Sequence, residues 1–149
     1  MNNTDAVVEH ARQVFLSCHH CSETMVIAVG DYYFGKVPEI LIRAACPLAG
    51  GGGCCYEEMC GLLSGGLMIL GALLGRVSVE ESDDAVQALA REYRERFRAL
   101  AGHTQCQAIR DSLPDVDKRC EPIVVGAVRL LLEMLEAQGV KPRVPAAPA

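Results

Sequence analysis

The groups in this sequence whose type and spacing could do chemistry are its eight cysteines. Three of them, Cys54, Cys55 and Cys60, lie in 'GGGGCCYEEMCGLLSGG', Gly50 to Gly66, where four glycines precede the thiols and an apolar run follows. Thiolates serve as metal ligands and as redox nucleophiles. Glycine lets the backbone pass close to whatever lies beside it. In a reducing compartment, thiols in this number point to metal ligation or thiol redox work rather than to disulfide staples. The alternative role for cysteine is that of a small buried apolar residue, which is the expectation for Cys46 in 'ILIRAACPLA'. It does not extend comfortably to eight.

Other chemistries have little support. The chain of 149 residues carries a net charge of −5, and phosphate-backbone binding needs clustered Lys and Arg, so no nucleic acid is expected as a partner. The glycine run lacks the Lys and Ser or Thr of a phosphate loop. The amino terminus 'MNNTDAVVEHAR' lacks the basic-then-apolar order of a secretory signal, and the expected location is cytoplasmic. The longest uncharged stretch, the 17 residues Met59 to Gly75, lies at the bottom of the membrane-spanning range, is rich in glycine and has no aromatic or basic belt. It reads as a buried core helix.

The elements that must position the thiols are helical. Aromatics make up only 5% of the chain, there is no Trp, and small residues are plentiful, which suits close helix packing better than a sheet. Val7, Ala11, Val14, Phe15 and Cys18 share a helical face after a cap at Thr4 or Asp5, which turns Cys18 toward the core. A second helix opens at Cys21 and runs toward Tyr32. A third spans Pro38 to about Ala45. The fourth is expected from Tyr56 to Gly75, its glycines and small residues admitting close neighbours. A fifth begins at a capping box of Ser78 and Glu81 and presents Val86, Leu89, Ala90, Tyr93, Phe97 and Leu100 inward. Its outer face, 'REYRERFR', is a solvated, ion-paired surface. A short helix starts near Thr104. The last runs from Cys120 to Gln138 with Val124, Ala127, Leu131, Met134 and Leu135 inward. The expectation is an all-α, compact single-domain bundle of five to seven helices over residues 1–138, built around the glycine-rich fourth helix. Residues 139–149, rich in Pro and Ala, are expected to be a disordered tail.

On this scaffold Cys21, Cys60, Cys106 and Cys120 all fall near helix amino termini, where the helix dipole and unpaired N–H groups favour thiolate and can donate to sulfur. The chain also resembles a known family. 'HHCSETMV' after an opening helix, 'MCGLLSGGLMILG' after a glycine-rich loop, then 'GHTQCQAI' and 'KRCEPIVV', are similar to the C_GCAxxG_C_C family of redox-active proteins. The resemblance runs from about Val14 to Val128. It implies that the four family cysteines are Cys21, Cys60, Cys106 and Cys120. Leu62 stands where the motif has alanine. Split-Soret cytochromes carry a related domain whose four cysteines are associated with an iron–sulfur centre. No C-x-x-C-H is present, so covalent haem is not implied.

Three functions are consistent with these residues. The first is a redox protein whose iron–sulfur cluster is held by Cys21, Cys60, Cys106 and Cys120, with Cys54 and Cys55 as auxiliary ligands. It would exchange electrons with a donor or acceptor protein, and a homodimer is a possible assembly. The second is a thiol-disulfide oxidoreductase with Cys18 and Cys21 as the exchanging pair. The third is a structural or trafficking site for zinc or another soft metal. His19, His20 and His103 are nearby but are expected to be solvated loop residues.

Overall fold

The computed structural model describes residues 2–114 and 120–143. The described residues form seven α-helices: α1 Asn3–Leu16, α2 Cys21–Phe34, α3 Glu39–Ala45, α4 Gly61–Leu74, α5 Asp84–Ala101, α6 Cys106–Asp111 and α7 Glu121–Ala137. A 3-10 turn, Cys46–Leu48, follows α3 directly. The described residues contain no strand; the one sheet-like feature is an isolated antiparallel bridge between Met59 and Gln105.

Helix α4 is buried because its sequence is apolar on nearly every side, with Leu62, Leu63, Ile69 and Leu70 inaccessible. Its glycines set how near the neighbours come. A β-carbon on Gly65 would lie 2.9 Å from the Ser22 carbonyl of α2, and one on Gly66 would lie 2.4 Å from the Tyr93 ring of α5. Both are closer than any real side chain permits, so α2 and α5 approach α4 across faces that only glycine leaves open. The Tyr93 hydroxyl, fully buried, donates to the Leu62 carbonyl at 2.8 Å. Helix α7 closes the other side with Val124, Ala127, Leu131, Met134 and Leu135 inward. Arg12 of α1 pairs with Glu121 of α7 at 2.5 Å, and Arg129 with Asp5 at 2.9 Å, fixing α1 along α7.

Several boundaries differ from the sequence expectation. Helix α4 begins at Gly61, not Tyr56, because the backbone of residues 56–60 is committed elsewhere. The Tyr56 and Glu58 carbonyls accept from Gln107 and Cys106, and the Cys60 N–H donates to Thr104. Helix α5 begins at Asp84 after Asp83; Ser78 and Glu81 form a turn instead, the Glu81 N–H donating to the Ser78 carbonyl. Leu100 is exposed, and it is Ala101 that turns inward. Cys18 does not face the core: α1 ends at Leu16, Cys18 takes φ 73°, and the residue is exposed. Cys46 is exposed as well, because the 3-10 turn rotates it away from the apolar run that precedes it. Of the segment expected to be disordered, residues 139–143 lie against α2, where the Arg143 N–H donates to the Tyr33 carbonyl at 2.9 Å. Residues 144–149 lie outside the described residues.

Candidate functional site

Helix starts and one loop bring thiols together. Cys21 is the first residue of α2 and Cys106 the first of α6; Cys60 caps α4 and Cys120 caps α7. None of these caps is satisfied by a side-chain oxygen except that of α2, where Glu23 reaches back to the His20 N–H. The amino-terminal N–H groups of the other helices are thereby left to other acceptors.

The glycine loop adds the fifth thiol. Gly50, Gly51, Gly52, Gly53 and Cys54 all have positive φ, between 54° and 85°, so the chain makes a left-handed turn that four glycines make inexpensive and Cys54 does not. The turn is closed by hydrogen bonds from Gly53 to the Pro47 carbonyl, Cys54 to Ala49 and Tyr56 to Gly50. Gly51 rests against Cys106, with room for no side chain: a β-carbon would lie 3.0 Å from that of Cys106.

Cys21, Cys54, Cys60, Cys106 and Cys120 line one cavity of about 190 Å³. Phe15, Leu62, Ile109 and Ile123 contribute apolar lining, and His19, His20, Tyr56 and Arg110 contribute polar lining. Cys60 and Cys106 are buried, Cys21 and Cys120 half-buried, and Cys54 exposed at the rim. Cys55 is not part of the lining; its thiol donates to the Gly51 carbonyl at 3.5 Å. Cys18 and Cys46 are likewise outside it, and none of the eight cysteines is in a disulfide.

The thiols are not equivalent. The Cys60 thiol hydrogen-bonds to the Cys21 sulfur, and the N–H groups of Gly50, Ser22 and Gly61 also point at it; together they push Cys21 down to about 6 against the cost of burial. Cys60, holding the proton that the pair shares, is pushed up by Cys21 and by burial, although the Leu62 N–H works the other way. Cys106 is raised to about 11, chiefly by burial, with the neighbouring sulfurs adding and Arg110 opposing.

These residues fit an inorganic cofactor with soft ligands. Thiolate sulfur selects iron–sulfur clusters, zinc and copper(I). Backbone N–H groups already aim at sulfur, and the glycines at 50, 51 and 61 leave no side chain between backbone and thiols. Among the described residues no three Cys, His, Asp or Glu side chains converge closely enough to hold one metal ion.

Two features of the site were not read from the sequence. Tyr56 and Arg110 are one such pair, the guanidinium carbon lying 4.5 Å from the ring centroid; Arg110 stands one helical turn after Cys106, a spacing that could have shown it. The other is that His19 and His20 line the cavity, whereas His103 does not.

A family model described as "Putative redox-active protein (C_GCAxxG_C_C)" matches residues 19–134. No curated protein and no solved structure matches the chain.

Proposed function

The chain belongs to the C_GCAxxG_C_C family, and from that premise we propose that it is an electron-transfer protein whose iron–sulfur cluster is held by Cys21, Cys60, Cys106 and Cys120, with Cys54 as a further ligand at the rim. The observation that carries this reading is that five cysteines, four at helix starts and one in the glycine loop, line one cavity. When bound, such a cluster supplies one-electron redox chemistry. The protein's own part is to present thiolates and to hold them in place. Cys21 needs little help to lose its proton at neutral pH, because Cys60 and three N–H groups stabilise the negative sulfur. The apolar lining of Phe15, Leu62, Ile109 and Ile123 limits water in the cavity, while the exposed rim at Cys54 is the side from which an electron donor or acceptor protein would approach.

The thiol-disulfide alternative is favoured by one observation, the depressed Cys21 thiol, but its partner would then be Cys60 and not Cys18, which lies outside the cavity. Anaerobic purification followed by iron, sulfide and zinc analysis separates the readings. A brown protein with iron and acid-labile sulfide is the expected result. A colourless protein with stoichiometric zinc, or a metal-free one with a titratable disulfide, overturns the cluster assignment.

A further inference from the structure

Arg110 is the only Lys or Arg among the described residues that line the thiol cavity. Its helix, α6, starts at Cys106, so the two residues lie one turn apart on the same face. The guanidinium is held in place from below: its carbon sits 4.5 Å from the Tyr56 ring centroid, within cation–π range. Tyr56 is itself clamped by its backbone, the N–H donating to the Gly50 carbonyl and the carbonyl accepting from Gln107, both at 2.9 Å or less. It also keeps φ 67°, a conformation a non-glycine residue adopts at a cost and retains where its surroundings fix it. A clamped aromatic ring thus carries a cation in the lining of the cavity that five cysteines share.

We infer that Arg110 is a positioning residue that sets the reduction potential of the thiol centre, its guanidinium on the Tyr56 ring stabilising the state that carries one more negative charge. The inference rests on the iron–sulfur reading of the cavity. The half-reaction takes one electron from an external one-electron donor, dithionite in the test, and makes or breaks no bond at Arg110. A positive charge near the centre lowers the energy of the reduced state by Coulomb attraction, and more so where the surroundings are apolar. Arginine suits the place because its planar, delocalised guanidinium stacks on an aromatic face.

The test is an anaerobic redox titration of the full chain followed by visible absorption, for the parent, Arg110→Gln and Arg110→Lys, with iron and sulfide counted in parallel. Iron and sulfide should match in all three. At the parent's midpoint, the reduced-to-oxidised ratio of Arg110→Gln should fall about tenfold, which for one electron is about 59 mV, and Arg110→Lys should stay near the parent. An unchanged ratio in Arg110→Gln, or an equal fall in both variants, overturns the inference while leaving the cluster reading intact. A parent without iron and sulfide overturns the cluster reading itself, and this inference with it. Should Arg110→Gln lose its iron, Tyr56→Leu keeps the charge but removes its seat; a ratio equal to the parent's then overturns the inference, and a lower one supports it.

Discussion

A β-carbon added to Gly61 would lie 2.5 Å from the Cys21 sulfur and 3.1 Å from the Ser22 β-carbon. The first residue of α4 and the first two of α2 therefore meet backbone to side chain, and the Gly61 N–H is free to point at the Cys21 sulfur only because nothing protrudes beside it. Gly61→Ala must move either the thiol or the helix. The expected outcome is a folded protein whose iron content per chain falls at least by half, with an unchanged far-ultraviolet helix signal. Full iron loading in Gly61→Ala would show that Cys21 is not held by this contact.

The shared proton of Cys21 and Cys60 gives a second expectation, for the metal-free protein. Alkylation of Cys21 by iodoacetamide should titrate near pH 6 and shift upward in Cys60→Ala, which removes the hydrogen bond that contributes most to the shift. Stability should follow. Between about pH 6 and the unfolded thiol value of about 8.5, the unfolded chain holds a proton at Cys21 that the folded chain has released, so stability rises with pH in that window. Cys106 acts in the opposite sense: raised to about 11, it keeps its proton when folded and loses it when unfolded, so stability falls as pH climbs beyond about 8.5. Urea midpoints measured from pH 5 to 11 should pass through a maximum near the crossover, and a monotonic rise would contradict these assignments.

Helix identity was legible where burial and periodicity coincide. The inward set of α7 is buried in full because apolar residues at helical spacing leave no second way to pack. Starts were less legible. Ser78 and Glu81 have the spacing of a capping box, yet the same residues satisfy a turn just as well, and no local signal says which. The beginning of α4 depends on a pairing between residues 56–60 and 104–107, remote in sequence, which no window around Tyr56 contains. For the site, helix-terminal placement singled out Cys21, Cys60, Cys106 and Cys120, and all four line the cavity. The difference between Cys54 and Cys55 was not legible, because adjacent residues in a left-handed turn point in directions that only the backbone angles reveal.

Two glycines in the same helix should respond oppositely to alanine. At Gly66 the added methyl would meet the buried Tyr93 ring at 2.4 Å, and its hydroxyl, bonded to the Leu62 carbonyl, cannot easily retreat. Overpacking of this kind costs about 1–3 kcal/mol. At Gly71 nothing lies within 4 Å and the residue is exposed, so alanine should stabilise by about 0.5–1 kcal/mol through the lower entropy of the unfolded chain. Chemical denaturation of the two variants checks the sign of each.

Cys54 offers the most discriminating substitution, because its backbone and its sulfur make opposite demands. At φ 54° it closes a run of four left-handed glycines, a conformation that glycine occupies without penalty and cysteine does not. Cys54→Gly should therefore leave the metal-free protein as stable as the parent, or more stable by about 1 kcal/mol. If the strained cysteine is kept for its thiol at the cavity rim, the same variant should alter the iron count or the visible spectrum of the anaerobic protein. Cys55→Ser, whose sulfur only donates to the Gly51 carbonyl, should leave both unchanged. A Cys54→Gly protein with the parent's iron, sulfide and spectrum would show that four thiolates complete the centre and that Cys54 is no ligand.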